Sequence, residues 1–238
     1  MKRTALAILI FLLAFSYTYA QEKQKIQWPW LNKDLPIPTI EVWGGMGLSS
    51  VTGNISTDKR LTGLFGAGFT MPISNENNIH FEIAYTFQGF KYKPRTYERN
   101  DTVLNLEKAE QRFNYFKLTV MDRYFLDKER RYYVNGGFYL AYLTQSRFQA
   151  NYELKIGTEE EEHHEINDSN KDVFRPIDFG LTGGIGVRLG NQKVSCFTIE
   201  ARVSYGLVNA AKPINGEKPK ARNLYGVLKL GIDIPVRD

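Results

Sequence analysis

Residues 197–207 alternate without a break: Phe197, Ile199, Ala201, Val203, Tyr205 and Leu207 take every second position, and Thr198, Glu200, Arg202, Ser204 and Gly206 take the others. In an extended chain successive side chains point to opposite faces, so this segment has one apolar and one polar side. The pattern returns in seven further segments. Their apolar members are Ile40–Leu48, Leu61–Met71, Ile79–Phe87, Phe116–Val120, Val134–Tyr142, Ile177–Val187 and Leu228–Ile234. Three of the connections are short, at 74–78, 126–131 and 190–194, and they alternate with longer polar ones at 52–60, 93–110, 147–172 and 210–222. Eight antiparallel strands with short turns at one end and long loops at the other is the wiring of an up-and-down transmembrane β-barrel, with both chain ends on the short-turn, periplasmic side.

The same alternation serves a soluble lipocalin-like barrel, in which the apolar face turns inward around a ligand. That alternative predicts an apolar cavity lined by Phe81, Phe138 and Ile199. Two features favour the membrane orientation. The polar face is rich in Gly, Thr, Ser and scattered opposite charges, which suit a narrow lumen better than a soluble exterior. Aromatic residues also gather near strand ends, at Tyr85 and Phe87, Tyr115 and Phe116, Tyr124 and Phe125, and Tyr132 and Tyr133, as in the girdles that sit at headgroup level.

The N-terminus agrees with export. Lys2 and Arg3 precede the apolar run Ala5–Phe15, and a small residue at Ala20 places signal cleavage between Ala20 and Gln21. The reading divides the chain into a signal peptide at 1–20, a periplasmic lead-in at 21–38 and a barrel domain at 39–238. Trp28-Pro29-Trp30 and Pro36-Ile37-Pro38 keep the lead-in out of a sheet. No later apolar run is long enough for a spanning helix, so a membrane location requires a closed barrel. The single cysteine, Cys196, allows no internal disulfide. A formal net charge of +5 with both signs interspersed gives no support for nucleic-acid binding.

Four features bear on chemistry. The stretch Gly180-Leu-Thr-Gly-Gly-Ile-Gly186 invites a nucleotide reading, but Leu189 stands where the third glycine of G-x-G-x-x-G would be and no helical period follows. Its glycines read instead as small residues on a crowded inner wall, since an eight-stranded barrel is only wide enough for side chains to fill it. With Gly45, Gly47, Gly66 and Gly68, they leave room for Trp43, Tyr139, Arg188, Arg202 and Tyr225. Second, the polar face carries Glu41, Glu82, Lys117, Arg123, Asp178, Arg188, Glu200, Arg202, Lys229 and Asp233. Buried charges persist when paired, so this near balance of signs predicts an internal ion-pair network rather than catalytic carboxylates, which need a cleft. Third, Glu159–Glu165 with His163 and His164 matches no metal template and reads as a solvated acidic loop. Fourth, His80 lies beside the first short turn and reads as interfacial. No cofactor is expected.

Pro176-Ile177-Asp178-Phe179-Gly180 followed by Gly183-Gly184-Ile185-Gly186, then Ile199-Glu200-Ala201-Arg202 with Tyr205-Gly206-Leu207, resembles the PorT-like outer-membrane β-barrel proteins. Tyr115–Phe125 leading into Tyr133–Gly137 is similar to that family's central hairpin, and the resemblance spans about Thr39–Val236. One departure is the ending Ile234-Pro235-Val236-Arg237-Asp238, which lacks the terminal aromatic residue of many outer-membrane barrels. The resemblance implies an all-β, eight-stranded barrel in the outer membrane, with some relatives belonging to the type IX secretion apparatus. The resulting expectation is a non-enzymatic barrel whose partners are outer-membrane lipid, the barrel-assembly machinery and other envelope or secretion proteins. The alternatives are the soluble ligand-binding barrel and a barrel-type lipid-modifying enzyme using His163 and His164.

Overall fold

The computed structural model describes residues 35–54, 56–99, 102–156, 162–191, 194–213 and 220–236. The expected signal cleavage at Ala20 and Gln21, and most of the lead-in, lie outside the described residues. So do the side chains of His163 and His164.

Eight long strands form the barrel wall: β1 (Thr39–Gly53), β2 (Thr57–Pro72), β3 (Asn77–Tyr92), β5 (Thr102–Phe125), β6 (Tyr132–Ile156), β8 (Ile177–Asn191), β9 (Ser195–Gly206) and β10 (Ala221–Pro235). Neighbours run antiparallel in the order β5-β3-β2-β1-β10-β9-β8-β6, and β6 pairs back onto β5 to close the cylinder. Two short strands, β4 (Arg95–Arg99) and β7 (Glu162–Ser169), widen the sheet beside the outer parts of β5 and β6. Thr39 pairs with both Thr70 and Pro235, which places the ends of the barrel chain beside the short turns, as the wiring requires.

Register follows from the two faces, because a slip of one residue would turn every side chain of a strand over. Val42 lies between Ala67 and Ile232, all outward, whereas Glu41 lies between Gly68 and Asp233, all inward. The outward set is apolar around the whole wall: Met46 is 68% exposed, Leu61 69% and Ile185 64%. Soluble monomers rarely expose contiguous apolar patches beyond a few hundred Å². A belt on every strand therefore fits lipid, and the wall is that of a membrane-embedded barrel. Phe81 and Phe138 belong to this exposed belt, which removes the inward apolar cavity of the lipocalin-like alternative.

Two expectations need correction. Three of the four aromatic pairs near strand ends split between the faces, as adjacent residues of a strand must, whereas Tyr85 and Phe87 share the outer face. Phe116, Tyr124 and Tyr132 point outward, but Tyr115, Phe125 and Tyr133 are buried in the lumen. The segments 93–110 and 147–172 are also not simple loops, since β5 and β6 run through them as a tall hairpin flanked by β4 and β7. A membrane strand needs about 10 residues. The outward apolar part of β5 begins at Phe116, so Thr102–Asn114 rises about 40 Å along the strand beyond it.

Candidate functional site

The lumen is the most elaborate part of the molecule, and its chemistry begins with space. Gly180 faces the ring of Tyr139 and Gly186 faces that of Tyr133, so closely that a Cβ at either position would overlap the ring. A strand in an eight-stranded barrel can carry a tyrosine inward only where its neighbour carries almost nothing. The glycine-rich stretch thus lies on β8 and serves packing, with Gly183 alone of its central glycines turned to the outer face beside the Asn135 carbonyl.

Into that space the polar face delivers its charges. Arg202 donates to both oxygens of Glu82, with Nη2 2.9 Å from Oε1, and its Nε lies 2.5 Å from Glu200. Lys229 Nζ reaches Glu82 at 2.5 Å, with Glu41 at 3.6 Å and Glu200 at 3.9 Å. Arg123 sits 3.1 Å from Glu41, 3.8 Å from Glu200 and 3.9 Å from Asp233. Arg188 Nε lies 3.0 Å from Asp233 Oδ2, an ion pair whose angle falls short of a hydrogen bond. Eight of the ten residues singled out in the sequence therefore meet, four carboxylates against four cations. Glu41 and Asp233 face each other directly across the β1–β10 ladder, so the like charges depend on the cations between them. Neutral donors complete the shell: Thr198 to Glu41 at 2.8 Å, Tyr133 to Glu200 at 3.0 Å and Thr39 to Asp233 at 2.9 Å. Lys229 lies over the ring of Trp43 and Arg123 over that of Tyr133.

Lys117 and Asp178 do not join this cluster as ion pairs. They form a second layer nearer the long loops, linked through tyrosines. Lys117 donates to the Tyr225 hydroxyl and lies 4.2 Å from the centroid of Tyr139, whose hydroxyl donates to Asp178 at 3.1 Å. Asn223 donates to the same Asp178 oxygen at 2.9 Å.

His80 corrects the interfacial reading, for it is fully buried inside the barrel. Its Nδ1 lies 2.7 Å from Thr70 Oγ1, while Nε2 is 3.0 Å from Glu82 and 3.3 Å from Glu41. One ligand atom each from Glu41, His80 and Glu82 fall within 4.8 Å of one another, a spacing that could seat a metal ion. Both carboxylates are already compensated by Arg123, Arg202 and Lys229, so a divalent ion would add charge with nothing left to balance it.

Both ends of the lumen are stoppered, which the alternation did not announce. At the periplasmic end Arg130 has a left-handed backbone, φ 53°, and folds under the barrel. It donates to the Asn75 carbonyl and to Asn78 Oδ1 at 2.7 Å, and it covers the ring of Phe125 at 4.2 Å. At the loop end Phe174 packs edge-on against Phe113, 4.7 Å between centroids, over a buried cluster that includes Phe90, Tyr115 and Leu143. The turn bearing Phe174 is pinned by a reciprocal amide pair, Gln111 to Asn170 at 2.9 Å and Asn170 to Gln111 at 2.8 Å, with Ser146 donating to Asn170 at 2.6 Å. Phe174→Ala should remove about 3 kcal/mol or more of local packing. Limited proteolysis should then cut near residues 171–176 faster while the barrel keeps its folded migration on gels; unchanged cleavage would show that the stopper is held by its backbone alone.

The family model described as "Outer membrane protein beta-barrel domain" matches residues 38–212. No curated protein matches the chain. Among solved structures, Neisserial surface protein A is 13% identical with a TM-score of 0.42, covering 83% of this chain and 97% of that one. The attachment invasion locus protein Ail of Yersinia pestis is 12% identical with a TM-score of 0.38, covering 84% and 99%. OprG of Pseudomonas aeruginosa is 10% identical with a TM-score of 0.41, covering 86% and 98%. With a family model that takes in most of the sequence and a closed barrel wearing its apolar side outward, the chain belongs to the family of outer membrane proteins with a β-barrel domain.

Proposed function

We propose that this protein is a non-conducting, non-enzymatic component of the outer membrane that acts through its rims rather than through its lumen. The observation that supports the reading is the filled interior. Glu41, His80, Arg123, Glu200 and Lys229 are each no more than 1% exposed, and an open water column would leave them accessible. A substrate has no cleft among these residues in which carboxylates could work as acid and base. The tall β5–β6 hairpin with β4 and β7 offers protein partners a broad sheet beyond the membrane, and outer-membrane lipid surrounds the belt. Insertion by the barrel-assembly machinery belongs to the same proposal.

The finer reading is an accessory role in type IX protein secretion, supported by the sequence resemblance to PorT-like barrels. Deleting the gene should then leave secreted cargo in the periplasm, and normal export in the deletion strain would remove that role. Planar-bilayer recording tests the coarser claim. The purified barrel should give no steady conductance above the bare membrane, whereas regular single-channel steps would mean that the lumen opens and that a pore function must replace this one.

A further inference from the structure

A second concentration of charge lies on the outer wall, where lipid should be. A groove of about 300 Å³ runs across the outward faces of β2, β3, β5 and β6, lined by Arg60, Phe87, Arg112, Asn114, Gln145 and Arg147. Its height is fixed by the strands that form it. Phe116, Leu118 and Val120 on β5 and Phe138, Leu140 and Tyr142 on β6 are exposed apolar residues. The next outward positions up the same strands are Asn114 and Arg112 on β5 and, past the irregularity at Thr144, Gln145 and Arg147 on β6. Phe65, Tyr85 and Phe87 form an aromatic cluster at the same level, with centroids 5.3 to 6.2 Å apart. The groove therefore straddles the boundary between acyl chains and headgroups on the long-loop side.

Its electrostatics are unbalanced. Glu110 serves two of the three guanidiniums, accepting from Arg60 Nε at 3.2 Å and from Arg112 Nε at 2.5 Å. Arg147 is steadied by a neutral group: in the amide orientation that satisfies its neighbours, Gln145 accepts from Arg147 Nε at 2.7 Å and Nη2 at 2.9 Å. Three fixed cations answered by one carboxylate leave an excess of about two positive charges at a low-dielectric boundary. Arginine forks match phosphate oxygens in pairs, and Phe87 supplies an apolar floor beside them. Bulk anions would not need that floor.

We infer that this groove binds the phosphate of a phosphorylated lipid headgroup in the outer leaflet. The arginines take the phosphate oxygens, and the lipid's apolar part continues down the wall past Phe87.

The test uses the full-length barrel in phosphate-free dodecyl maltoside micelles supplied with bisphosphorylated lipid A, with dephosphorylated lipid A, or with inorganic phosphate alone. Native mass spectrometry reads the lipid retained. The bisphosphorylated lipid should stay bound to the wild type, and Arg112→Gln with Arg147→Gln should weaken retention about tenfold or more, as expected when charge-assisted hydrogen bonds are lost. Arg222→Gln, an exposed charge on β10 away from the groove, should leave retention unchanged. Where the double variant does not fold, Arg147→Gln alone carries the comparison. Equal retention of dephosphorylated lipid, an equal loss in Arg222→Gln, or inorganic phosphate displacing the lipid at matched concentration would each overturn the assignment.

Discussion

Gly186→Leu is expected to abolish the folded barrel. The new side chain would enter the space held by the Tyr133 ring, and that ring has nowhere to go. Its hydroxyl is bonded to Glu200 and Arg123 stacks on its face, so moving it also disturbs the charge cluster. Overpacking a well-filled core usually costs about 1–3 kcal/mol, and here relaxation is blocked on both sides, so more than about 3 kcal/mol is expected. The measurement is heat-modifiable migration after refolding into detergent or vesicles. Gly136→Leu, on the outer face with nothing within 4 Å of its Cβ, is the matched control and should fold. A folded Gly186→Leu barrel would mean that the lumen is much roomier than its burial suggests.

Glu82→Gln should destabilise nearly as much through charge instead of volume. Glu82 is bonded to Arg202, to Lys229 and to His80, so neutralising it leaves two buried cations short of their shared partner. Breaking a buried pair by removing one member costs about 3–5 kcal/mol, whereas removing both members is far milder. The guanidinium midpoint for unfolding from vesicles should therefore fall sharply in Glu82→Gln and recover in part when Lys229→Met is added. If single and double variants unfold together, the cluster is not the coupled unit that its distances describe.

Much of this was legible because alternation is local. Glu41, Glu82, Arg123, Arg188, Glu200, Arg202, Lys229 and Asp233 could each be put on the inner face from their own neighbours in sequence. The partition of Lys117 and Asp178 into a separate layer could not be read that way. It depends on the height at which β5 and β8 stand in the cylinder, and these strands do not touch. The outer halves of β5 and β6 were hidden for another reason: irregularities between Leu106 and Lys108 and between Asn114 and Tyr115 shift the register, and each shift breaks a period of two. His80 holds an inward position between Ile79 and Phe81, so its burial follows from alternation, and its nearness in sequence to a turn says nothing of nearness to the membrane surface. Arg130 and Phe174 sit in connections, where periodicity carries no information at all.

The seam between β1 and β10 has a kinetic meaning. Its ladder joins Thr39 to Pro235 and Gly53 to Ala221, so the first strand made must wait for the last. Such distant pairing makes folding slow, since most of the chain must be ordered before the closing contacts form. Lys229 and Asp233 travel on that final strand. Until they arrive, Glu41 and Glu82 lack one of their cations and Arg188 lacks its carboxylate. An unclosed sheet is thus left both with free edges and with uncompensated charge facing what will become the interior. Closure ends both conditions in one event, which gives the folding reaction a sharp finish and leaves half-zipped barrels as poor substitutes for the completed one.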